Sequence, residues 1–275
     1  MTFSINTNAG ALVALQNLTM TSNQLSSTQN IISTGKDVNT AADNGAVWSI
    51  ANTMQGRVSS LDAVKESLNS ATSTIDVAMS AGQQVSDLLS QLKAKALAAS
   101  DTSLDTNSRT ALNADFTSIL SQISTVVSNA SFNGANLIES GGKSIFALAN
   151  SDGSSQLTVA AQDLSLGGVN ITVTSTTSIG TASLATAAIA TVDASITNVN
   201  NALAKLGTSS NALTTQLTFV GTLQDTIDTG VGNLVNANLA KESAQLQALQ
   251  TKQQLGIQAL SIANSGSSAL LSLFR

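Results

Sequence analysis

Few residues in this chain have the types and spacing that chemistry requires. Asp225 and Asp228 stand three apart, a helical spacing that puts two carboxylates on one face, where one could give and the other take a proton. "SDGS" (Ser151–Ser154) has an acidic turn of the kind found in calcium loops, but lacks the alternating carboxylates and terminal Glu of such a loop. It reads better as a plain turn, and the Asp pair as ordinary charge on a solvated helix. The 275 residues include no His and no Cys. A nucleophile–base triad, a typical zinc site and a disulfide therefore lack their constituents. No catalytic, cofactor-binding or metal-ligating residue is expected.

The elements that would position such groups point elsewhere. Only 10% of residues are charged, against roughly 25% in typical soluble proteins, while 42% are hydrophobic. The net charge is −5, with no basic stripe to neutralise phosphates, so nucleic-acid binding is not expected. Runs such as "ALVAL" and "AAIA" fall far short of the roughly 20 apolar residues a membrane span needs, so no membrane insertion is expected. With no Pro, long helices can run without a break.

The first 35 residues, "MTFSINTNAGALVALQNLTMTSNQLSSTQNIISTG", hold no ionisable side chain, and the first charge is Lys36. The stretch lacks the basic start and continuous apolar run of a cleavable secretory signal. A chain without disulfides suits passage, unfolded, through a narrow channel.

Apolar spacing sets the architecture. Leu61, Val64, Leu68, Ala71, Ile75, Ala78, Gly82, Val85, Leu89, Leu92 and Ala96 step by three and four, predicting a helix over 58–100, roughly 64 Å long at about 1.5 Å per residue. "SDTSLDTNSR" reads as a turn with Asp101, Thr102 and Asp105 as N-cap candidates. A second seam runs Leu112, Phe116, Ile119, Ile123, Val126, Ala130, followed by Asn133-Gly134, which suits a type I′ turn. "SIFALAN", "SQLTVAA" and "VNITVTS", within 137–180, read as short β runs. The third seam is Ile189, Val192, Ile196, Val199, Leu203, Leu206, Ser210, Leu213, Leu217, Val220, Gln224, Ile227; Gly230 and Gly232 then suggest a linker or hinge. A last helix covers about 235–272. In the opening segment Leu15, Leu18, Ser22, Leu25, Gln29 and Ile32 share the same step. Residues 253–274 are also free of charge. Two neutral helices with narrow apolar seams are expected to pair and to pack among copies of themselves, because a dense multi-chain wall accepts polar neutral flanks but not unpaired buried charges.

The sequence resembles the bacterial flagellins, in an alphaproteobacterial form. The resemblance rests on "INTNAGALVALQNL" (Ile5–Leu18), "ISTGKDVNTAADNGAVWSIA" (Ile32–Ala51), "SFNGANLI" (Ser131–Ile138), "LAKESAQLQALQTKQQLGIQALSIAN" and "QALSIANSGSSALLSLFR" (Gln258–Arg275), which cover both terminal thirds in register. It implies a mostly α fold, a long helical coiled-coil bundle with a small β-hairpin-rich segment and no large outer domains. The expected divisions are an inner helical domain of 1–35 and 231–275, a connecting loop 36–57, an outer helical domain of 58–135 and 181–230, and a β-rich segment 136–180. Asp37 stands where the family usually has a basic residue. In "LLSQLKAKALAAS" (Leu88–Ser100), Gln91 replaces an Arg and Ala94 a Glu, while Lys93 keeps a positive charge; weak recognition by the innate immune receptor for flagellins follows.

The resemblance implies a structural subunit that self-assembles into the helical filament used for swimming, with a hook–filament junction protein as the alternative reading. Some flagellins carry a zinc peptidase insert whose motif needs two His, absent here, so no enzyme is expected. Subunit contacts are expected at Ile5, Leu12, Leu15, Leu18, Leu25, Ile32, Trp48, Leu246, Leu249, Leu260, Leu270, Leu273 and Phe274. Trp48 would pack at the joint of an ordered spoke between inner and outer layers, or sit buried in a plain linker. Thr172, Thr174, Ser175, Thr176, Thr177 and Ser178 form either an O-glycosylation zone or a bare polar segment. Implied partners are further copies of the chain, paralogous flagellins, an export chaperone, and the filament cap and hook–filament junction proteins. The implied route is type III flagellar export to an extracellular filament.

Overall fold

Uninterrupted apolar periodicity gives long helices, and Asn- and Gly-containing turns give two short hairpins. The computed structural model describes the backbone of residues 7–272 and the side chains of residues 7–265. In chain order the elements are α1 (Ala9–Thr34), α2 (Gly45–Ala99), α3 (Thr106–Asn129), β1 (Ser131–Phe132), β2 (Ala135–Asn136), β3 (Ile145–Leu148), β4 (Gln156–Val159), α4 (Ala182–Val235) and α5 (Leu239–Ser272). They form two compact units: Met1–Gly56 with Thr226–Arg275, and Arg57–Asp225.

The Arg57–Asp225 unit holds the larger core. Every residue of the α2 seam from Leu61 to Ala96 is buried, with Leu68, Ile75, Val85, Leu89, Leu92 and Ala96 fully so. Gly82 belongs to this seam because a Cβ there would stand 2.6 Å from Leu203 Cδ2 of α4. α4 runs antiparallel to α2, as Lys65 donates to Gln224 (3.2 Å) while Lys93 pairs with Asp193 (2.6 Å). α3 packs antiparallel to α2 through Phe116, Ile119, Leu120, Ile123 and Val127. Asp105 caps α3 by accepting from the Asn107 and Ser108 amides. Arg109 closes the C-terminal end of α2, donating Nε to the Ala99 carbonyl (3.0 Å) and Nη2 to that of Asp101 (2.7 Å).

β1 and β2 pair antiparallel across Asn133 (φ 49°) and Gly134 (φ 78°), the positive-φ pair a type I′ turn requires. β3 and β4 pair antiparallel, Ile145 with Val159 through Leu148 with Gln156. This hairpin is held at Leu148, whose amide donates to Ser67 Oγ (3.1 Å), and at Ala149, whose carbonyl accepts from Gln216 Nε2 (2.7 Å).

Three expectations are corrected. "VNITVTS" forms no strand and contributes one bridge, Leu166 to Ile171. The Thr172 amide donates to Ser195 Oγ on α4 (3.0 Å) instead of to a ladder, and Ile171 and Val173 are buried. The connecting loop is shorter than 36–57, because α2 begins at Gly45. Asn44 starts the helix, its Oδ1 accepting from the Val47 amide (3.2 Å) and its carbonyl from the Trp48 amide (2.9 Å). Gly230 and Gly232 are not a linker, since α4 continues to Val235. Val231 and Val235 pack with Val38, Val47 and Ala51, and this burial outweighs the roughly 1 kcal/mol that each helical glycine costs.

Candidate assembly surface

α1 and α5 form an antiparallel pair within the Met1–Gly56 and Thr226–Arg275 unit. Both ends are fastened. Asn8 caps α1 by accepting from the Ala11 amide (3.0 Å) while its Nδ2 donates to the Ala263 carbonyl (2.7 Å). Gly35 closes α1 with φ 70°, its amide donating to the Ile31 carbonyl (2.8 Å) and its own carbonyl accepting from the Ala237 amide (3.0 Å). The Asp37 amide then donates to the Val235 carbonyl (2.7 Å).

The seam between the helices is narrow and mixes small residues with leucines. Facing inward from α1 are Ala11, Ala14, Leu18, Thr21, Leu25, Thr28 and Ile32, and from α5 Glu242, Leu246, Leu249, Gln253, Gly256, Leu260 and Ala263. Thr21 is buried because its hydroxyl is satisfied within the helix by the Asn17 carbonyl (2.8 Å). At Gly256 a Cβ would come within 3.3 Å of Leu18 Cδ1. The expected α1 seam is therefore right at Leu18, Leu25 and Ile32 and displaced by one residue elsewhere. Leu15, Ser22 and Gln29 point to solvent, and Ala14, Thr21 and Thr28 replace them. At Ala14, Thr21 and Thr28 the inward position is thus taken by a side chain smaller than leucine.

The consequence is a pair with little core of its own. Among its described residues, only Leu249 is a buried large apolar side chain in α1 and α5. Leu12, Val13, Leu15 and Met20 on α1, and Leu239, Leu255, Ile257 and Ile262 on α5, are exposed, Ile262 to 72%. A groove of about 620 Å³ beside the seam is lined by Val13, Asn17 and Met20 from α1 and by Lys252, Leu255 and Ala259 from α5. No side chain of α1 is ionisable. Exposed apolar side chains are thus concentrated on these two helices, beside the single charged group Lys252 in the groove.

The other expected contact residues divide. Leu18, Leu25, Ile32, Leu246 and Leu260 are half-buried in the seam, and Leu12 and Leu15 are exposed. Trp48 lies in the first turn of α2 and is 38% exposed. Val38, Ala51 and Val235 with Val47 and Val231 form an aliphatic cluster in the same unit that does not include Trp48, so Trp48 is not buried as a plain-linker reading required. Ile5, Leu273 and Phe274 lie outside the described residues, as does the Leu270 side chain. Val13, Met20, Leu255, Ile257 and Ile262 were not singled out by the spacing. Their signal is an excess of apolar residues over what one seam can use, in helices almost without charge.

The hydroxyl cluster is largely engaged. Thr172 Oγ1 donates to the Thr191 carbonyl (3.2 Å), Thr174 Oγ1 lies 3.1 Å from the hydroxyls of both Thr176 and Thr177, and Ser178 Oγ donates to Asn113 Oδ1 (2.9 Å). Ser175 is exposed, and its hydroxyl makes no hydrogen bond among the described residues. In the "SDGS" turn, Asp152 Oδ1 accepts from the Ser154 amide (3.1 Å) and hydroxyl (2.8 Å), bonds that hold its carboxyl below the usual range. Asp225 and Asp228 are both exposed.

Comparison with known proteins gives the family. The family model described as the bacterial flagellin N-terminal helical region matches residues 5–143, and that of the bacterial flagellin C-terminal helical region matches residues 189–274. Over 272 residues the chain is 56% identical to flagellin FljO of Caulobacter vibrioides, covering 99% of this chain and 98% of that one. It is 36% identical over 287 residues to a flagellin of Brucella melitensis, covering 99% of each. The crystal structure of Bacillus cereus flagellin matches with a TM-score of 0.50 at 19% identity, over 56% of this chain and 88% of that one, a likeness of fold.

Proposed function

We propose, because the chain belongs to the bacterial flagellin family and is a structural subunit of the flagellar filament, that α1 and α5 supply its principal contacts between subunits. The observation that carries this reading is the pairing of α1 with α5 through one narrow seam, which leaves Leu12, Val13, Leu15, Met20, Leu255, Ile257 and Ile262 exposed on nearly neutral helices. Neighbouring copies cover these faces, with Leu249 and Leu260 keeping the pair together. Head-to-tail contacts of this kind do not close, so a fibre results. Ile5, Leu270, Leu273 and Phe274 are further contact residues by the family resemblance alone.

The finer readings follow from the family. Export is by the type III flagellar route to the cell exterior, with an export chaperone on the unassembled subunit and contacts to the filament cap and hook–filament junction proteins at the ends of the polymer. Paralogous flagellins share the filament. Ser175 is the most available acceptor for an O-linked sugar, since the neighbouring hydroxyls already have partners. Purified subunit added to short filament seeds and viewed by negative-stain electron microscopy is the test. Micrometre filaments are expected from the native chain and none from Ile262→Lys; equal growth by both would refute the assignment of the α5 face.

A further inference from the structure

The sequence contains the dipeptide Asn-Gly twice, at Asn44-Gly45 and Asn133-Gly134, and the structure places the two in opposite circumstances. We propose that Asn133 is a site of spontaneous, enzyme-free deamidation and that Asn44 is protected from it. In this reaction the Gly134 amide nitrogen attacks Asn133 Cγ. The new C–N bond forms as the Cγ–Nδ2 bond breaks, and ammonia leaves with the amide proton. Water then opens the cyclic imide. Cleavage of the new bond gives aspartate, and cleavage of the original backbone bond gives isoaspartate.

Glycine is the residue that least hinders such an attack, because it has no Cβ beside the nucleophilic nitrogen. At Gly134 nothing lies within 4 Å of where a Cβ would be. Asn133 is exposed, and its side chain makes no hydrogen bond among the described residues. Its backbone is held by a ladder of two residue pairs, Ser131 with Asn136 and Phe132 with Ala135. So short a hairpin end opens readily, letting the amide reach Cγ. Asn44 differs at each step. Its Oδ1 accepts from the Val47 amide and its carbonyl from the Trp48 amide. Gly45 is already the first residue of a 55-residue helix. Attack there requires α2 to lose its cap and first turn.

The two products act differently on the hairpin. Asp-Gly suits a type I′ turn as Asn-Gly does, so the aspartate form keeps the turn and adds a negative charge. Isoaspartate inserts a methylene into the main chain, and a two-residue loop cannot absorb it without loss of the β1–β2 register. The change runs one way, so its extent records the age of the subunit.

The full-length chain, incubated in warm, mildly alkaline buffer, is sampled over time. Peptide mass mapping reads conversion at each site, and isoaspartyl methyltransferase labelling identifies the isoaspartate. The Asn133 peptide is expected to convert at least roughly tenfold faster than the Asn44 peptide, equivalent to about 1.4 kcal/mol of barrier. In urea the two sites should convert at similar rates, which ties the difference to folding. Asn133→Gln should remove the fast signal and leave the helical content unchanged. No conversion at Asn133 in the folded chain, or conversion at Asn44 as fast or faster, overturns the proposal.

Discussion

Ile262→Lys separates the stability of the subunit from that of the polymer. Ile262 is 72% exposed, and a surface substitution of this kind changes the free subunit by no more than about 0.5 kcal/mol. Fully burying an isoleucine is worth about 1.5–3 kcal/mol, and most of that is still ungained at Ile262, so cover by a neighbour would contribute about 1–2 kcal/mol per subunit. Lysine forfeits this and places an ammonium in the contact, at a cost of several kcal/mol. At about 1.4 kcal/mol per factor of ten, loss of the apolar contribution alone raises the unassembled concentration by roughly five- to thirtyfold. The buried charge takes the total beyond about a hundredfold. The assay is seeded growth followed by sedimentation, with protein left in the supernatant as the readout and circular dichroism as the check on the subunit. Ile262→Ala, which adds no charge, should fall between the native chain and the lysine variant. A lysine variant with native supernatant concentration would refute cover of this face, and one that loses helix before assembly would refute the claim that the position is free in the subunit.

Gly82→Val should force Leu203 out of its place in the α2–α4 core, at about 1–3 kcal/mol, and lower the melting temperature by roughly 2–4 °C for each kcal/mol; calorimetry measures it. Asp105→Ala should lower the urea midpoint by removing the α3 cap. Bonds from the Ser108 amide, then its hydroxyl, hold the Asp105 carboxyl below its usual range; its stabilisation is thus present above the ordinary carboxylate pKa and lost as pH falls through the folded value, so native and variant midpoints should converge in acid. Limited proteolysis of the free subunit should cut first in α1 and α5, leaving a fragment that begins after Thr34 and ends before Leu239, whereas the filament should resist at both ends. Equal protection in the two states would refute cover of α1 and α5 by neighbouring copies.

The α2 seam was legible residue by residue, because one heptad repeat packed on both α3 and α4 has only one consistent way to face inward. The hairpin turn at Asn133-Gly134 was legible because few dipeptides accept positive φ twice. The α1 seam was misread by one position, since Leu15 outweighs Ala14 on any hydrophobic scale while close helix packing favours the smaller side chain. Gly230 and Gly232 misled for a related reason. Their local cost is visible in the sequence, and the valine cluster that offsets it is assembled from residues about 180 or more positions away. "VNITVTS" has β-type alternation, yet its amide at Thr172 finds Ser195 on a helix, a contact no local pattern encodes. The exposed faces of α1 and α5 were only half visible, because spacing identifies one seam per helix and these helices carry apolar residues beyond it.

The most direct measurement is an image reconstruction of the native filament by electron cryomicroscopy at a resolution that shows side chains. The subunit contacts proposed for α1 and α5 predict that Val13, Met20, Leu255 and Ile262 are covered by neighbouring copies, with Leu18 and Leu249 still packed within one subunit. Filaments in which these four side chains face solvent, with subunits joined through the Arg57–Asp225 unit alone, would contradict them.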